Sequence, residues 1–219
     1  MVMSAIEIVP ISESALACVL TPPAELPKQQ RLWAFADAVQ ALPETEEAVT
    51  GMNNLTVFVR PDTDLQAFSD GLCALWAQTG AGRGKQGRHV RIPVVYGGEF
   101  GEDLAEVAAF HQTSPEEIVR RHTEPVYTVF MMGFQPGFPY LGGLPETLHT
   151  PRRAVPRIKV PAGSVGIGGS QTGVYPFASP GGWQVIGRTD APLFRLDADP
   201  PTLLAAGDTV EFVAERILL

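Results

Sequence analysis

The sequence predicts an α+β chain of two domains: a sandwich with helices on one face of a mostly antiparallel sheet, followed by a closed or nearly closed β-barrel. Three observations carry this. In the first part, two apolar patterns at helical spacing are interleaved with about four strand-like runs. A glycine-rich stretch without apolar anchors, residues 79–87, then interrupts the pattern. Beyond it, short β segments are divided by frequent Gly/Pro turns. The boundary gives domains 1–87 and 88–219.

Residues 6–11 and 15–20 are short runs rich in Val and Ile and read as strands. After the Pro22-Pro23 break, Leu32, Phe35, Ala36, Val39 and Leu42 recur at helical spacing, and Leu65, Phe68, Leu72, Leu75 and Trp76 do so again. The second helix has its start signal at Asp62 or Thr63, and Asn53-Asn54 is a turn pair between strands 47–52 and 55–60. Past the boundary, residues 90–96 read as a strand and 103–111 and 114–122 as helices. Ser114 and Glu117 form a capping box with Pro115 at the first helical position. His122 ends this helix, where a positive ring favours the helix dipole. Segments 126–132, 164–168, 173–176, 183–189 and 209–213 supply the remaining strands.

The chain of 219 residues has a net charge of −8, and its acidity argues against nucleic acid, which needs a broad basic face. Met1 to Glu7 lacks a basic leader segment, and no apolar stretch approaches the length of a membrane span. Cys18 and Cys73 sit among apolar neighbours in no metal or redox motif, so both read as buried free thiols of a reduced, cytoplasmic protein.

Familiar catalytic signatures are incomplete. In residues 79–87 the positions for the first glycine and the final Ser/Thr of a phosphate loop hold Thr79 and Gln86. Ser164 lacks the first glycine of a nucleophile elbow, because Ala162 occupies it. Gly166-Ile167-Gly168-Gly169 lacks the third spaced glycine of a dinucleotide fingerprint. His89, His111, His122 and His149 show no metal-binding spacing.

What remains is a set of binding groups. Gly133 to Pro145 is too rich in glycine and proline for a helix and too aromatic for a disordered linker, so it reads as an ordered loop wall. Between residues 133 and 189, Arg152, Arg153, Arg157, Lys159 and Arg188 face a single acid, Glu146. Pro151, Pro156 and Pro161 hold the cationic segment extended, and guanidinium forks suit carboxylate or phosphate. The expectation is one cradle for a small anion. Arg153, Arg157, Lys159 and Arg188 are its cations. Gln135, Gln171 and Tyr175 supply amide and phenol hydrogen bonds, and Phe134, Phe138, Tyr140 and Trp183 form a pocket wall or partner face.

These segments resemble a known family. Gly133-Phe134-Gln135-Pro136-Gly137-Phe138-Pro139-Tyr140-Leu141-Gly142, Pro151-Arg152-Arg153, Val160-Pro161-Ala162-Gly163-Ser164-Val165-Gly166-Ile167, Gln171-Thr172-Gly173-Val174-Tyr175-Pro176 and Ser179-Pro180-Gly181-Gly182-Trp183 look like hallmark blocks of the family that unites allophanate hydrolase subunit 1, KipI-like proteins and the B component of bacterial 5-oxoprolinase. The likeness spans nearly the whole chain. It implies a ferredoxin-like first domain and a cyclophilin-like barrel with a carboxyltransferase-type role. It further implies partner subunits A and C (KipA-like), and ATP used by the complex to open 5-oxo-L-proline to L-glutamate, with the chain inactive alone. Relatives also imply two alternatives, inhibition of a sensor histidine kinase and half of a urea or allophanate carboxyltransferase.

Overall fold

Period-two alternation builds the first sheet. In the computed structural model, which describes residues 5–80 and 87–219, strands β1 (Ile6–Ser12), β2 (Ala15–Leu20), β3 (Thr45–Thr50) and β4 (Asn54–Val59) pair antiparallel in the order β1-β2-β4-β3. Leu16, Cys18 and Leu20 of β2 and Leu55, Val57 and Val59 of β4 are buried, while Val19 and Phe58 between them face out. Helices α1 (Leu26–Gln40) and α2 (Leu65–Gln78) cover the buried face with Leu32, Phe35, Val39, Phe68, Leu72 and Trp76. Helix α2 starts later than the sequence signal, because Asp64 is its cap. The Asp64 carboxylate accepts from Gln66 N at 3.0 Å and Ala67 N at 3.1 Å. Asp62 instead takes a turn conformation at φ 67°.

Cys18 is buried, and burial pushes its thiol up to about 12. Cys73 is exposed, against expectation. The reason is helical phase: Phe68, Leu72 and Trp76 point inward, so Cys73, one step past Leu72, lies about 100° away from that stripe.

The chain divides into two units, Met1–Gln86 and Gly87–Leu219. Of the glycine-rich stretch read as a boundary, residues 81–86 lie outside the described residues, as do residues 1–4 of the N-terminal segment. No helix among the described residues is long and apolar enough to cross a membrane.

The second unit contains β5 (His89–Gly97), α3 (Leu104–Phe110), α4 (Pro115–Thr123), β6 (Tyr127–Met132), β7 (Pro139–Gly142), β8 (Arg157–Val160), β9 (Ser164–Gly168), β10 (Gln171–Val174), β11 (Ser179–Gly181), β12 (Gln184–Arg188) and β13 (Thr209–Leu218). Seven strands close a barrel in the order β10-β7-β6-β13-β5-β12-β9. Every seam is antiparallel except the long parallel pairing of β13 with β5. Ile92, Val94, Tyr96, Val165, Ile167, Val210 and Phe212 fill the interior.

Two segments expected as loop are strands. Pro139–Gly142 joins the barrel as β7, and Arg157–Val160 pairs with Ser179–Gly181 in a separate two-stranded ribbon. Only Val160 of β8 is buried and Ile158 is 91% exposed, so no alternation announces that strand. The capping box at α4 is half formed. Ser114 Oγ accepts from Glu117 N at 3.3 Å, but the Glu117 carboxylate is held by Arg120 at 2.7 Å and Arg121 at 2.8 Å.

His122 also departs from its reading as a cationic helix end. It is fully buried and bonded on both ring nitrogens, to Tyr96 Oη at 2.8 Å and Thr172 Oγ1 at 2.9 Å. Because Thr172 donates to Gly166 O at 3.0 Å, its oxygen accepts from His122 Nε2, and Nδ1 accepts from Tyr96. Burial lowers the His122 pKa to about 3, so the ring is neutral.

Candidate functional site

Asp103, the residue preceding α3, organises the basic segment. Its buried carboxylate accepts from Arg153 Nη1 at 2.7 Å, from Arg157 Nη1 at 2.8 Å and Nη2 at 2.7 Å, and from Val185 N at 2.6 Å. Arg157 reaches Glu102 as well, at 3.1 Å. Hydrogen bonds to Asp103 raise the Arg157 pKa still further, against the opposing pull of burial. Two of the five local cations are therefore engaged by acids about 50 residues earlier in the chain. Arg152, Lys159 and Arg188 have no carboxylate partner among the described residues.

The cationic residues expected to share a single cradle are spread over several hollows of the barrel unit: Arg153, with Arg152, borders one of about 470 Å³ beside α3, and two smaller ones gather most of the other residues named from the sequence. The first, of about 160 Å³, brings together Arg157, Lys159 and Arg188 with Phe100, Glu99 and Glu102. The Arg188 guanidinium carbon lies 4.3 Å from the Phe100 ring centroid, a cation–π arrangement that fixes its direction. The carboxylates of Glu99 and Glu102 give this hollow both signs of charge.

The second hollow, of about 130 Å³, is aromatic. Phe138, Tyr175 and Trp183 are buried as its floor, while Phe134 and Tyr140 stand higher. The rings meet edge-on or tilted, with centroids from 5.0 Å (Phe138 to Tyr140) to 6.3 Å (Tyr175 to Trp183). Two glycines make this packing possible. A Cβ at Gly168 would lie 2.4 Å from the Trp183 ring, and one at Gly181 would lie 2.6 Å from the Tyr175 hydroxyl. Phe134 has φ 66°, and Gln135 N donates to Gly133 O at 2.7 Å across it, a strained three-residue turn that leaves the ring 59% exposed.

Of the residues named from the sequence, Phe134, Phe138, Tyr140, Tyr175 and Trp183 meet in the second hollow, and Arg157, Lys159 and Arg188 in the first. Arg153 is held by Asp103. Gln171, on β10, and Gln135, whose Oε1 is buried without a hydrogen-bond partner, line neither hollow. The sequence reading missed Asp103, and it counted Arg152 among the local cations without placing it in the cradle, although that residue lines the aromatic hollow. The largest cavity described, about 790 Å³, is an open groove of the first unit beside α2 and belongs to neither hollow.

A four-stranded α/β unit and a closed barrel with one parallel seam form a fold shared with solved structures. The Kluyveromyces lactis urea amidolyase superposes with a TM-score of 0.81, covering 98% of this chain and 15% of that one, at 17% identity, a likeness of fold alone. TTHA0988 superposes with a TM-score of 0.76 at 34% identity; the match covers 92% of this chain but only 40% of TTHA0988. The sequence makes the assignment specific. Residues 6–204 match the carboxyltransferase domain, subdomain C and D, and the chain belongs to that family. It is 60% identical over 212 residues to the 5-oxoprolinase B subunit of Haemophilus influenzae, covering 97% of this chain and 99% of that protein. It is 49% identical over 206 residues to the 5-oxoprolinase B subunit of Escherichia coli O157:H7, covering 94% of each.

Proposed function

We propose that this chain is the B component of an ATP-dependent, cytoplasmic 5-oxoprolinase complex that opens 5-oxo-L-proline to L-glutamate together with subunits A and C. The observation that carries the proposal is identity of 49–60% along nearly the full chain to two proteins that both bear the name of the 5-oxoprolinase B component. The likeness to urea amidolyase stays at the level of fold and favours no urea or allophanate substrate. In the same reading the barrel is cyclophilin-like and the first unit ferredoxin-like with shifted connectivity. Moving the last strand of a βαββαβ unit to its front gives ββαββα with the order β1-β2-β4-β3 seen here.

A lactam carbonyl is a weak electrophile, and energy from ATP makes its opening feasible at neutral pH. A hollow of about 160 Å³ has room for roughly five water volumes at ~30 Å³ each, too little for a whole nucleotide. In this reading the nucleotide is bound on another component of the complex, and this chain's part is to hold anionic groups with Lys159 and Arg188. The test is to produce the chain with its chromosomal neighbours and measure ATP-dependent glutamate release from 5-oxoproline. The wild-type complex is expected to release glutamate, the isolated chain to release none, and the Lys159→Ala, Arg188→Ala double variant to fall at least about tenfold in kcat/KM. A wild-type complex that releases no glutamate sinks the proposal.

A further inference from the structure

We propose that the aromatic hollow is the seat of the cyclic substrate, with the Arg152 guanidinium at its mouth pairing with the carboxylate of a small five-membered lactam acid. This deepens the 5-oxoprolinase reading and rests on it.

Four observations converge. First, Arg152 is the one cation in the lining of this hollow, although it also borders the 470 Å³ hollow beside α3, and it is exposed with no carboxylate partner among the described residues, whereas its neighbour Arg153 is committed to Asp103. An unpaired guanidinium keeps its planar fork for an incoming carboxylate. It lies 5.9 Å from the Trp183 ring centroid, so an anion paired with it would sit beside the aromatic cluster. Burial raises the Tyr140 and Tyr175 hydroxyls, and the Arg152 charge opposes that shift in both.

Second, about 130 Å³ is the room of roughly four water volumes at ~30 Å³ each, the scale of one small ring and one acid group. Third, the walls suit a flat, neutral lactam. Tyr140 and Trp183 meet edge-on with centroids 6.1 Å apart, and Tyr140 brings to the lining a phenol hydroxyl, a group able to pair with an amide oxygen or nitrogen. Fourth, two features of the lining leave room for a ligand. The Phe134 ring is kept exposed by a strained turn. Gly182 also lines the hollow, although a Cβ there would come no closer than 3.6 Å to Pro156, so no protein atom demands glycine. A glycine facing an open hollow lets a ligand approach the backbone.

The test uses the assembled complex, with KM and kcat for 5-oxo-L-proline and inhibition by 2-pyrrolidinone, the same ring without its carboxylate. Arg152→Gln is expected to raise KM about ten- to hundredfold, the value of one charge-assisted pair, and to change kcat less than about threefold. Arg152→Lys should recover part of the loss, and inhibition by 2-pyrrolidinone should be the same in Arg152→Gln as in wild type. A KM within about twofold of wild type in Arg152→Gln overturns the pocket while leaving the 5-oxoprolinase reading in place. So does a parallel loss of 2-pyrrolidinone inhibition, which would make Arg152 a support for the rings. Failure of Arg152→Gln to assemble, read by size-exclusion chromatography, also overturns it by placing Arg152 in an interface. A wild-type complex that releases no glutamate removes both the reading and the ligand assigned to the pocket.

Discussion

His122 shows how one residue can be inert chemically and decisive physically. Its ring bridges Tyr96 and Thr172 in the uncharged form, with a folded pKa of about 3 against an ordinary value of 6.5. A group depressed in this way binds its proton more readily when unfolded, so its stabilising contribution is complete above about pH 6.5 and is lost as pH falls towards 3. Stability should therefore decline by on the order of 1 kcal/mol per pH unit across that window from this ring alone. His122→Leu should lose that share of the slope and, at pH 7, cost about 1–3 kcal/mol by stranding the Tyr96 hydroxyl. Urea unfolding of both proteins at several pH values between 4.5 and 7.5 checks this, and parallel slopes would contradict it. The sequence suggested a positive ring here because a helix end is visible in sequence, whereas the closed barrel around it is not. Asp103 was equally hidden: nothing local to it reveals that Arg153 and Arg157 arrive from about 50 residues away.

Among the elements, those with a strong period were legible. The spacing of Leu32, Phe35, Ala36 and Val39, and of Phe68, Leu72 and Trp76, placed both helices of the first unit on their buried faces. Strand β8 was not legible, since three of its four residues are not buried and pairing with β11 alone makes it a strand. The aromatic block was recognisable as a wall, but its division from the cationic hollow depends on β7 joining the barrel and on glycines that admit the rings. Strand β9 offers the sharpest check. Gly168→Ala drives a methyl into the Trp183 ring, and it should cost about 1–3 kcal/mol and weaken the near-ultraviolet circular dichroism of the aromatic cluster. An unchanged spectrum and midpoint would show that the ring has room to retreat.

At the scale of the molecule, no core cluster among the described residues mixes buried residues of the two units: one is built from residues up to Trp76, and the other two from Ile92 onward. Residues 87–219 produced alone should accordingly unfold cooperatively with retained near-ultraviolet signal, and a non-cooperative melt would show that the barrel leans on the first unit. The net charge of −8 conceals the local cationic segment, yet the local count overstated it, because Asp103 and Glu102 lie outside the segment and return to it in space.

The parallel seam has a consequence for biosynthesis. His89 and Thr209, at one end of the pairing between β5 and β13, are 120 residues apart. At 5–20 residues per second the ribosome takes roughly 6–24 s to deliver the partner after β5 has emerged. During that interval one flank of β5 is an unsatisfied row of backbone donors and acceptors, open to pairing with another nascent chain. Barrel closure is thus a late event, and cellular yield should respond to translation speed and chaperone supply more than the finished fold would suggest.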